Sequence, residues 1–208
     1  MTPTPVLLVV KAALLLTLVV LGGCMSRQPA QVDDVCAIFQ EKRGWYRGAR
    51  RAENRWDVPV HVKMAFVHKE STFQARVRPP RTRLLGIVPW RRPTSAYGFA
   101  QATNAAWSDY LNDTGRNRAR RNNFGDAMDF IGWYNDQSHR RLGIAKDDPY
   151  RLYLAYHEGH GGYARGTYQR KPEVQDYARR VRLKAQRYER QLTQCESRLR
   201  RRLWIPFW

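Results

Sequence analysis

The sequence lacks any segment in which apolar and polar residues alternate over the length of a strand, and it contains no internal repeat. These two absences argue against a β-rich or a repeat architecture. Several segments instead place apolar residues at helical spacing. The 208 residues are enough for one compact domain. The sequence therefore predicts a mainly α fold, with long helices at both ends of the domain.

Five segments show apolar helical spacing or the start and stop signals of a helix. They begin near Val32, Asp57, Asn123, Asp148 and Pro172. The last is the longest, and its apolar seam should pack on the domain body near the first helix. The seam residues alternate by four and three: Val174, Ala178, Val181, Ala185, Tyr188, Leu192, Cys195 and Leu199. Residues 74–96, after the second helix, are predicted to form a basic, proline-rich loop.

Long apolar runs are absent except at the N-terminus, where the run after Lys11 is too short to span a membrane comfortably. Such a run is typical of a signal-peptide core. It ends in LGGC, which resembles the lipobox of bacterial lipoproteins, where the cysteine is acylated after cleavage. We therefore predict a lipoprotein signal peptide over residues 1–23 and a lipidated linker over residues 24–34. Lipid on Cys24 would tether the protein to a membrane. Since Met25 is not aspartate, the outer membrane is favoured if the host is Gram-negative. An ordinary secretion signal or an uncleaved anchor is the alternative.

Cysteine is scarce, with three in the chain. Cys36 and Cys195 both fall on predicted apolar helix faces. Because an exported chain meets an oxidising compartment, these two cysteines are candidates for a disulfide. Entropy models give such a long loop closure about 4–5 kcal/mol as an upper figure. Two free thiols in the core are the alternative.

Acidic residues are also few, with 18 Asp and Glu against 37 Lys and Arg, for a formal net charge of +19. This excess indicates an anionic partner. The predicted export signal argues against nucleic acid. Phospholipid head groups and the carboxylates of cell-wall peptides are the polyanions outside the cytoplasm. The aromatic tail at residues 204–208 suits a membrane surface or a partner protein, or simply covers the domain.

Histidine is likewise sparse, which bears on the stretch YHEGHGGY at residues 156–163. A zincin needs H-E-x-x-H, whose histidines lie four residues apart on one helix face. Here His157 and His160 are three apart, and the neighbouring glycines should break the helix. The other histidines suggest no third ligand. We therefore predict no metal site, and the glycines then serve either a close approach to a ligand or a helix C-cap.

One carboxylate has an unusual position. Glu70 lies near the end of the second predicted helix, three residues beyond Val67 and four beyond Phe66. It therefore projects near the apolar side, where poor solvation and the helix dipole both favour the neutral acid. Glycosidic cleavage requires such an acid because the leaving oxygen must be protonated. A glutamate paired with an arginine at a helix end is the alternative.

A third segment, SAYGFAQ at residues 95–101, offers backbone and amide hydrogen bonds beside an aromatic wall, and sugars bind on such surfaces. In chain order, the three segments resemble the soluble lytic transglycosylase domain, a lysozyme-like family that includes goose-type lysozyme. The family pattern is E-S, G-L-M-Q and A-Y-N-x-G, followed by a tyrosine and a valine on a last helix. The matching positions are Glu70-Ser71, Gly98-Phe99-Ala100-Gln101, Ala155-Tyr156-His157-Glu158-Gly159, and Tyr177 with Val181. The likeness covers about residues 57–185.

The resemblance implies a lysozyme-like catalytic domain, which we place at residues 35–203. It implies cleavage of the β-1,4 bond between MurNAc and GlcNAc in peptidoglycan strands, with formation of 1,6-anhydroMurNAc ends. Glu70 would be the sole acid and base, with no metal or cofactor. Gln101 would bind the sugar chain, and Tyr156 and Tyr177 would orient Glu70 or stabilise the transition state. The substrate-binding residues are Ser71, Tyr97, Gly98, Phe99, Gln101, Tyr156, His157, Gly159 and Tyr177.

The sequence departs from the family pattern at His157, where the family has asparagine, and at Phe99-Ala100, where it has Leu-Met. No Asp or Glu lies between Glu70 and Asp109, which favours the route with one carboxylate over hydrolysis. Glu158 is the exception, because it lies inside the third motif. A goose-type hydrolase and a non-catalytic wall-binding lipoprotein are the alternative functions. A cell-envelope protein complex is a further expected type of partner.

Overall fold

The computed structural model describes residues 27–84 and 86–202. The predicted signal peptide, Cys24 and the aromatic tail lie outside these described residues. The helices of the described part are α1 (Val35–Glu41), α2 (Arg43–Trp56), α3 (Val60–Ser71), α4 (Asn104–Thr114), α5 (Phe124–Leu142), α6 (Pro149–Ala164) and α7 (Pro172–Arg202). A 3₁₀ helix (Thr167–Arg170) precedes α7, and strands β1 (Arg83–Leu84) and β2 (Val88–Pro89) form a short hairpin. The predicted mainly α fold is confirmed. Among the described residues, no helix is long and apolar enough to cross a membrane.

Helix α3 is the centre of the fold, because its side chains are buried on nearly every side. It packs against α2, α5 and α7. It begins at Val60, three residues after the predicted start near Asp57, and Pro59 is its N-cap instead of lying inside the first turn as expected. Even Lys63 is fully buried, and its Nζ donates a hydrogen bond of 2.6 Å to the carbonyl oxygen of Val58. A helix enclosed in this way holds its last turn rigidly, and that turn carries Glu70.

The long C-terminal helix α7 confirms the predicted apolar seam. All eight seam residues are buried against α1, α3 and α6. The seam also carries a covalent link, since Cys195 is bonded to Cys36 of α1 with their Cα atoms 6.1 Å apart. The two ends of the domain are therefore joined beside the central helix.

The N-terminal helix differs from the single helix expected from Val32 onward. It begins at Val35, where the Asp34 carboxylate accepts hydrogen bonds from two backbone N–H groups of the first turn. It is interrupted at Lys42, whose backbone leaves helical geometry, and α2 follows. The residues before Val35 already contact the body, since the side-chain amide of Gln28 donates to the Thr72 carbonyl at 2.8 Å.

Helical spacing did not predict α4, which is short and has few buried residues. It is fixed to the fold through the buried carboxylate of Asp129 on α5. This carboxylate accepts hydrogen bonds from Tyr110 of α4 at 2.7 Å and from Trp56 of α2 at 3.1 Å. Arg55 and Arg116 add charged contacts at 3.2 Å. One acidic residue therefore holds three helices together around one side of the site.

Candidate functional site

Glu70 lies in the last turn of α3, and the chain turns sharply directly after it. Thr72 and Phe73 both have left-handed backbone conformations, with φ of 48° and 61°. Non-glycine residues seldom adopt this region, and they persist there only when the surroundings hold them. Phe73 is fully buried beside Trp45, with ring centroids 6.0 Å apart. The end of α3 is therefore fixed by packing from the core.

The Glu70 carboxyl group is half-buried and has one direct hydrogen-bond donor. Tyr153 of α6 donates through its hydroxyl to Oε1 at 2.8 Å. Burial raises the pKa of Glu70 to about 7, while the Tyr153 hydrogen bond and the nearby Lys69 ammonium work in the opposite direction. A carboxyl group with this pKa is present in both its acid and its base form near neutral pH, as general acid–base catalysis requires.

Aromatic rings enclose the approach to Glu70. The ring of Phe66 packs edge-on against Tyr153 and Tyr156, with centroids 5.3 Å away in each case. The resemblance implied that Tyr156 would orient Glu70 or stabilise the transition state, and the structure shows its hydroxyl donating to the carbonyl of Ala100 at 2.5 Å. The residue that touches Glu70 is Tyr153, which the motif comparison missed. Its signal was present in the sequence, because it precedes Tyr156 by three residues and so shares its helix face.

The loop at Gly98–Gln101 is held by its own backbone and by Gln101. Gly98 has φ of 80°, and a Cβ there would lie 2.1 Å from the Arg121 carbonyl oxygen, so only glycine fits. The Gln101 amide nitrogen donates to the Gly98 carbonyl at 2.8 Å and to the Val77 carbonyl at 3.0 Å. Its amide oxygen accepts no hydrogen bond from the described residues and remains able to meet a ligand.

Helix α6 is kinked where the sequence reads HEG. Gly159 has φ of 73° and ψ of 157°, a conformation that only glycine adopts readily. Nothing lies within 4 Å of a Cβ built there, so its requirement is conformational and not a close approach. Gly162 differs, because it lies against the 3₁₀ helix: its carbonyl accepts a hydrogen bond from the Thr167 hydroxyl at 3.1 Å, and an added Cβ would lie 3.2 Å from that hydroxyl oxygen.

Glu158, beside the kink, is engaged in an ion-pair network. Its side chain is 3% exposed and contacts Lys171 at 2.9 Å, His157 at 3.2 Å and the hydroxyl of Thr167. Burial alone would raise its pKa, but the hydrogen bonds from Thr167, Lys171 and His157 outweigh this and lower it to about 2. Glu158 therefore stays ionised and ties the kink to the segment before α7.

A second side of the site is formed by His157, Tyr177 and Lys69. The ring of His157 lies 6.3 Å from those of Tyr153 and Tyr177. The Lys69 ammonium sits 3.7 Å above the centre of the Tyr177 ring, a cation–π contact. Tyr177 therefore has no direct hydrogen bond to Glu70 among the described residues and is linked to its surroundings through Lys69 and His157.

Two predicted substrate-binding side chains face inward. Ser71 is 5% exposed, and its hydroxyl donates to the Val67 carbonyl within α3. Phe99 is 1% exposed and packs in the core. Both side chains therefore pack in the core beside the site and do not face a ligand. Tyr97 is partly exposed, with the guanidinium groups of Arg78 and Arg121 at 4.5 and 5.4 Å from its ring centre.

A groove of about 770 Å³ runs between α4, α5 and α6 and begins at Gln101, Tyr156 and His157. Glu70 does not line this groove. It is linked to the groove wall through Tyr153, which donates a hydrogen bond to Glu70 and whose ring is stacked 6.5 Å from that of Tyr156. The predicted residues of the second and third motifs therefore meet at the end of the groove nearest Glu70.

The rest of the groove wall alternates aromatic and polar groups. Asp113 accepts hydrogen bonds from the indole of Trp133 at 2.5 Å and from the amide of Gln137 at 3.2 Å. The ring of Tyr134 stacks on His160 at 4.4 Å. Ring faces beside directed hydrogen-bonding groups suit a sugar chain. Sequence reasoning missed this wall because part of it lies on α4. Residues 27–84 and 86–202 contain no group of three or more His, Cys, Asp or Glu that could hold a metal ion.

A family model described as Transglycosylase SLT domain matches residues 12–195 of the chain. The matched range contains Glu70, the Gly98–Gln101 loop and the α6 kink. No curated protein matches the chain.

Proposed function

Since the chain belongs to the transglycosylase SLT domain family, we propose that it is a peptidoglycan lytic transglycosylase whose single acid and base is Glu70. The family is one of transglycosylase-type enzymes that act on peptidoglycan in the cell envelope. The proposed reaction cleaves the β-1,4 bond between MurNAc and GlcNAc and leaves a 1,6-anhydroMurNAc end.

The first step uses the neutral form of Glu70. Its proton passes to the glycosidic oxygen, the bond from that oxygen to C1 of MurNAc breaks, and GlcNAc leaves with a free hydroxyl group. The positive charge left at C1 is stabilised by the Glu70 carboxylate now beside it. Aromatic packing around the carboxyl group favours the acid form before reaction, which supports this role.

The second step uses the carboxylate. Glu70 removes the proton from the C6 hydroxyl of the same MurNAc, and the freed oxygen bonds to C1 to close the anhydro ring. The proton returns to Glu70, so no water is consumed and the enzyme is restored. Tyr153 keeps the carboxyl group in one orientation through both steps, because its hydroxyl donates to Oε1 throughout.

One observation carries the proposal: Glu70 has a pKa of about 7 and accepts a hydrogen bond from Tyr153, whose ring is stacked on that of Tyr156 in the groove wall. The state of Glu158 supports a route with one carboxylate. Its contacts with Lys171 and His157 engage both carboxylate oxygens and leave it poorly placed to activate water.

Digestion of purified peptidoglycan by the parent and by Glu70→Gln tests the proposal. The amide has almost the same shape but cannot deliver a proton, so turnover should fall by at least about a hundredfold, the lower end for loss of a general acid. Glu189→Gln, on the exposed surface of α7, is the matched control and should digest like the parent. If Glu70→Gln clears peptidoglycan at the parental rate, Glu70 is not the catalyst.

We also propose that lipid on Cys24 anchors the protein, with the catalytic domain at residues 35–203 facing the periplasm from the outer membrane. The LGGC sequence at the end of the apolar run supports this location. Metabolic labelling with palmitate should mark the parent and not a Cys24→Ser variant. Equal labelling of the two would exclude Cys24 as the acylated residue.

A further inference from the structure

The basic loop at residues 74–96 forms an exposed hairpin, hereafter the basic hairpin. Its surface combines arginines with exposed apolar side chains. Strands β1 and β2 pair antiparallel, and Thr82 and Arg91 extend the pairing through a backbone hydrogen bond of 2.9 Å. Every side chain described between Pro80 and Ser95 is exposed. The arms and base carry six arginines: Arg76, Arg78, Arg81, Arg83, Arg91 and Arg92.

These arginines have no acidic partners. None of the six forms an ion pair with a carboxylate of the described residues, whereas Arg50, Arg116 and Arg140 of the helical body all do. The sequence from Ser71 to Ser108 contains no Asp or Glu, so the local charge is uncompensated. A surface of this kind attracts a polyanion at close range.

The far end of the basic hairpin is apolar and exposed. Ile87 is 80% exposed and Trp90 is 50% exposed, and together with Leu183 of α7 they are the exposed large hydrophobic residues of the described part. Arginines interact with anionic head groups, while tryptophan and a neighbouring aliphatic side chain occupy the boundary between head groups and acyl chains. The carboxylates of a cell-wall peptide would satisfy the arginines but would leave the two apolar side chains in water.

The basic hairpin starts close to the point where the proposed lipid anchor joins the body. Gln28 is bonded to the carbonyl of Thr72, two residues before the hairpin segment starts. Cys24 lies outside the described residues but precedes Gln28 by only four residues, and four residues span at most about 14 Å. The proposed anchor and the hairpin therefore leave the body from the same place.

We propose that the basic hairpin docks the protein on an anionic phospholipid surface, with Ile87 and Trp90 entering the interface and the arginines binding head groups. This contact would fix the orientation of the groove relative to the bilayer, which a flexible lipid anchor alone does not. It does not depend on the chemistry of Glu70.

Vesicle binding tests the proposal. The mature chain carrying Cys24→Ser, exported behind a cleavable leader, is mixed with vesicles of phosphatidylcholine alone or with added anionic phosphatidylglycerol, and the bound fraction is measured by sedimentation. We expect binding to the anionic vesicles that weakens with salt, and little binding to the neutral ones. Equal binding to both compositions would overturn the proposal.

Matched variants separate the basic hairpin from the rest of the chain. Ile87→Ser with Trp90→Ser should lower the partition coefficient about tenfold or more, because two apolar side chains no longer leave water. Leu183→Ser is the control, and it should bind like the parent. If Leu183→Ser lowered vesicle binding by the same factor, any exposed apolar residue would contribute equally, and the proposal would be wrong.

The charge is tested by a second pair of variants. Arg81→Gln with Arg83→Gln should weaken binding roughly thirtyfold, since each arginine near an anionic surface contributes a factor of about five and the two factors multiply. Arg187→Gln with Arg190→Gln removes the same charge from α7 and should have a much smaller effect. If the hairpin variants lose binding to purified peptidoglycan while vesicle binding stays parental, the ligand is a wall carboxylate and the proposal is wrong. Glu70→Gln should bind vesicles like the parent, so failure of the proposed catalysis would leave this result unchanged.

Discussion

At the scale of single residues, the pKa of Glu70 is set by two opposing effects: burial raises it, and two neighbouring groups lower it. Burial favours the neutral acid, and the hydroxyl of Tyr153 with the Lys69 ammonium favours the carboxylate. The balance leaves the pKa at about 7. A fully solvated glutamate would be ionised at that pH, and one buried without a donor would be unable to act as a base in the second step.

This balance predicts the pH dependence of turnover. Because the first step needs the protonated acid, kcat/KM of the parent should fall as pH rises through about 7. The hydrogen bond from Tyr153 lowers the pKa of Glu70, so Tyr153→Phe should raise that pKa and move the alkaline limb to higher pH. Rates on purified peptidoglycan across the pH range measure the alkaline limb of the parent and that of Tyr153→Phe.

The control for this experiment is Tyr163→Phe, on the same helix but stacked on Tyr168 away from Glu70. Its alkaline limb should coincide with that of the parent. An alkaline limb for Tyr153→Phe that stays in place, or moves to lower pH, would show that this hydroxyl does not set the protonation of Glu70.

Spacing predicted that Glu70 lies on the apolar side of a helix end, but its role as the acid and base came from the family resemblance. Tyr153 was not predicted, since the sequence places it on the correct face of α6 but does not say which hydroxyl reaches across to α3. The inward direction of Ser71 and Phe99 was hidden for the same reason: a motif gives positions along the chain and not the directions of side chains.

At the scale of elements, the kink in α6 joins the groove wall to the surroundings of Glu70. Tyr153 and Tyr156 precede the kink and His160 follows it, so the two halves of the helix present their side chains to different parts of the site. The Glu158 network with Lys171 holds the kink against the segment that leads to α7.

Gly159→Ala should therefore destabilise the fold and lower turnover. Gly159 occupies a region of φ and ψ where a Cβ is strained, at a cost of about 1–3 kcal/mol. Gly161→Ala is the control, because that residue is helical and an added Cβ would meet only the flexible end of Arg165, at 3.2 Å. Denaturant unfolding and digestion rates of the two variants measure the difference. Equal stability in both would show that the kink is not an intrinsic requirement of the site.

Helix starts were predicted well where proline or a capping residue marks them, as at Pro149 and Pro172. The break at Lys42 and the whole of α4 were not predicted. Helix α4 is held by the buried Asp129 network more than by an apolar stripe of its own, so its sequence shows little periodicity. The position of α4 is therefore fixed by contacts with segments far away in the sequence, which a local pattern does not reveal.

At the scale of the whole molecule, the disulfide joins α1 to α7 across a sequence separation of 159 residues. Replacing Cys36 and Cys195 together by serine should lower the free energy of unfolding by about 2–5 kcal/mol, because the unfolded chain gains freedom. The denaturant midpoint measures this change. Cys24→Ser is the control and should unfold like the parent. An unchanged midpoint in the double variant would show that the bridge does not contribute to stability.

The overall architecture followed from the absence of strand patterns together with three short motifs, of which the second and third contribute residues to the groove wall. The groove itself could not be predicted from the sequence, because its wall combines residues of α4, α5 and α6 that no motif connects. The basic hairpin was recognised only as a charged loop. The structure was needed to show that Ile87 and Trp90, on this loop, are largely exposed.

The most direct test of the central claim is digestion of purified peptidoglycan in water enriched in heavy oxygen, followed by mass spectrometry of the released ends. If Glu70 returns its proton from the C6 hydroxyl without water, every new end should be an anhydro sugar that contains no heavy oxygen. Reducing ends that carry one heavy oxygen for each bond cleaved would mean that the enzyme activates water, and the account of a single carboxylate would be contradicted.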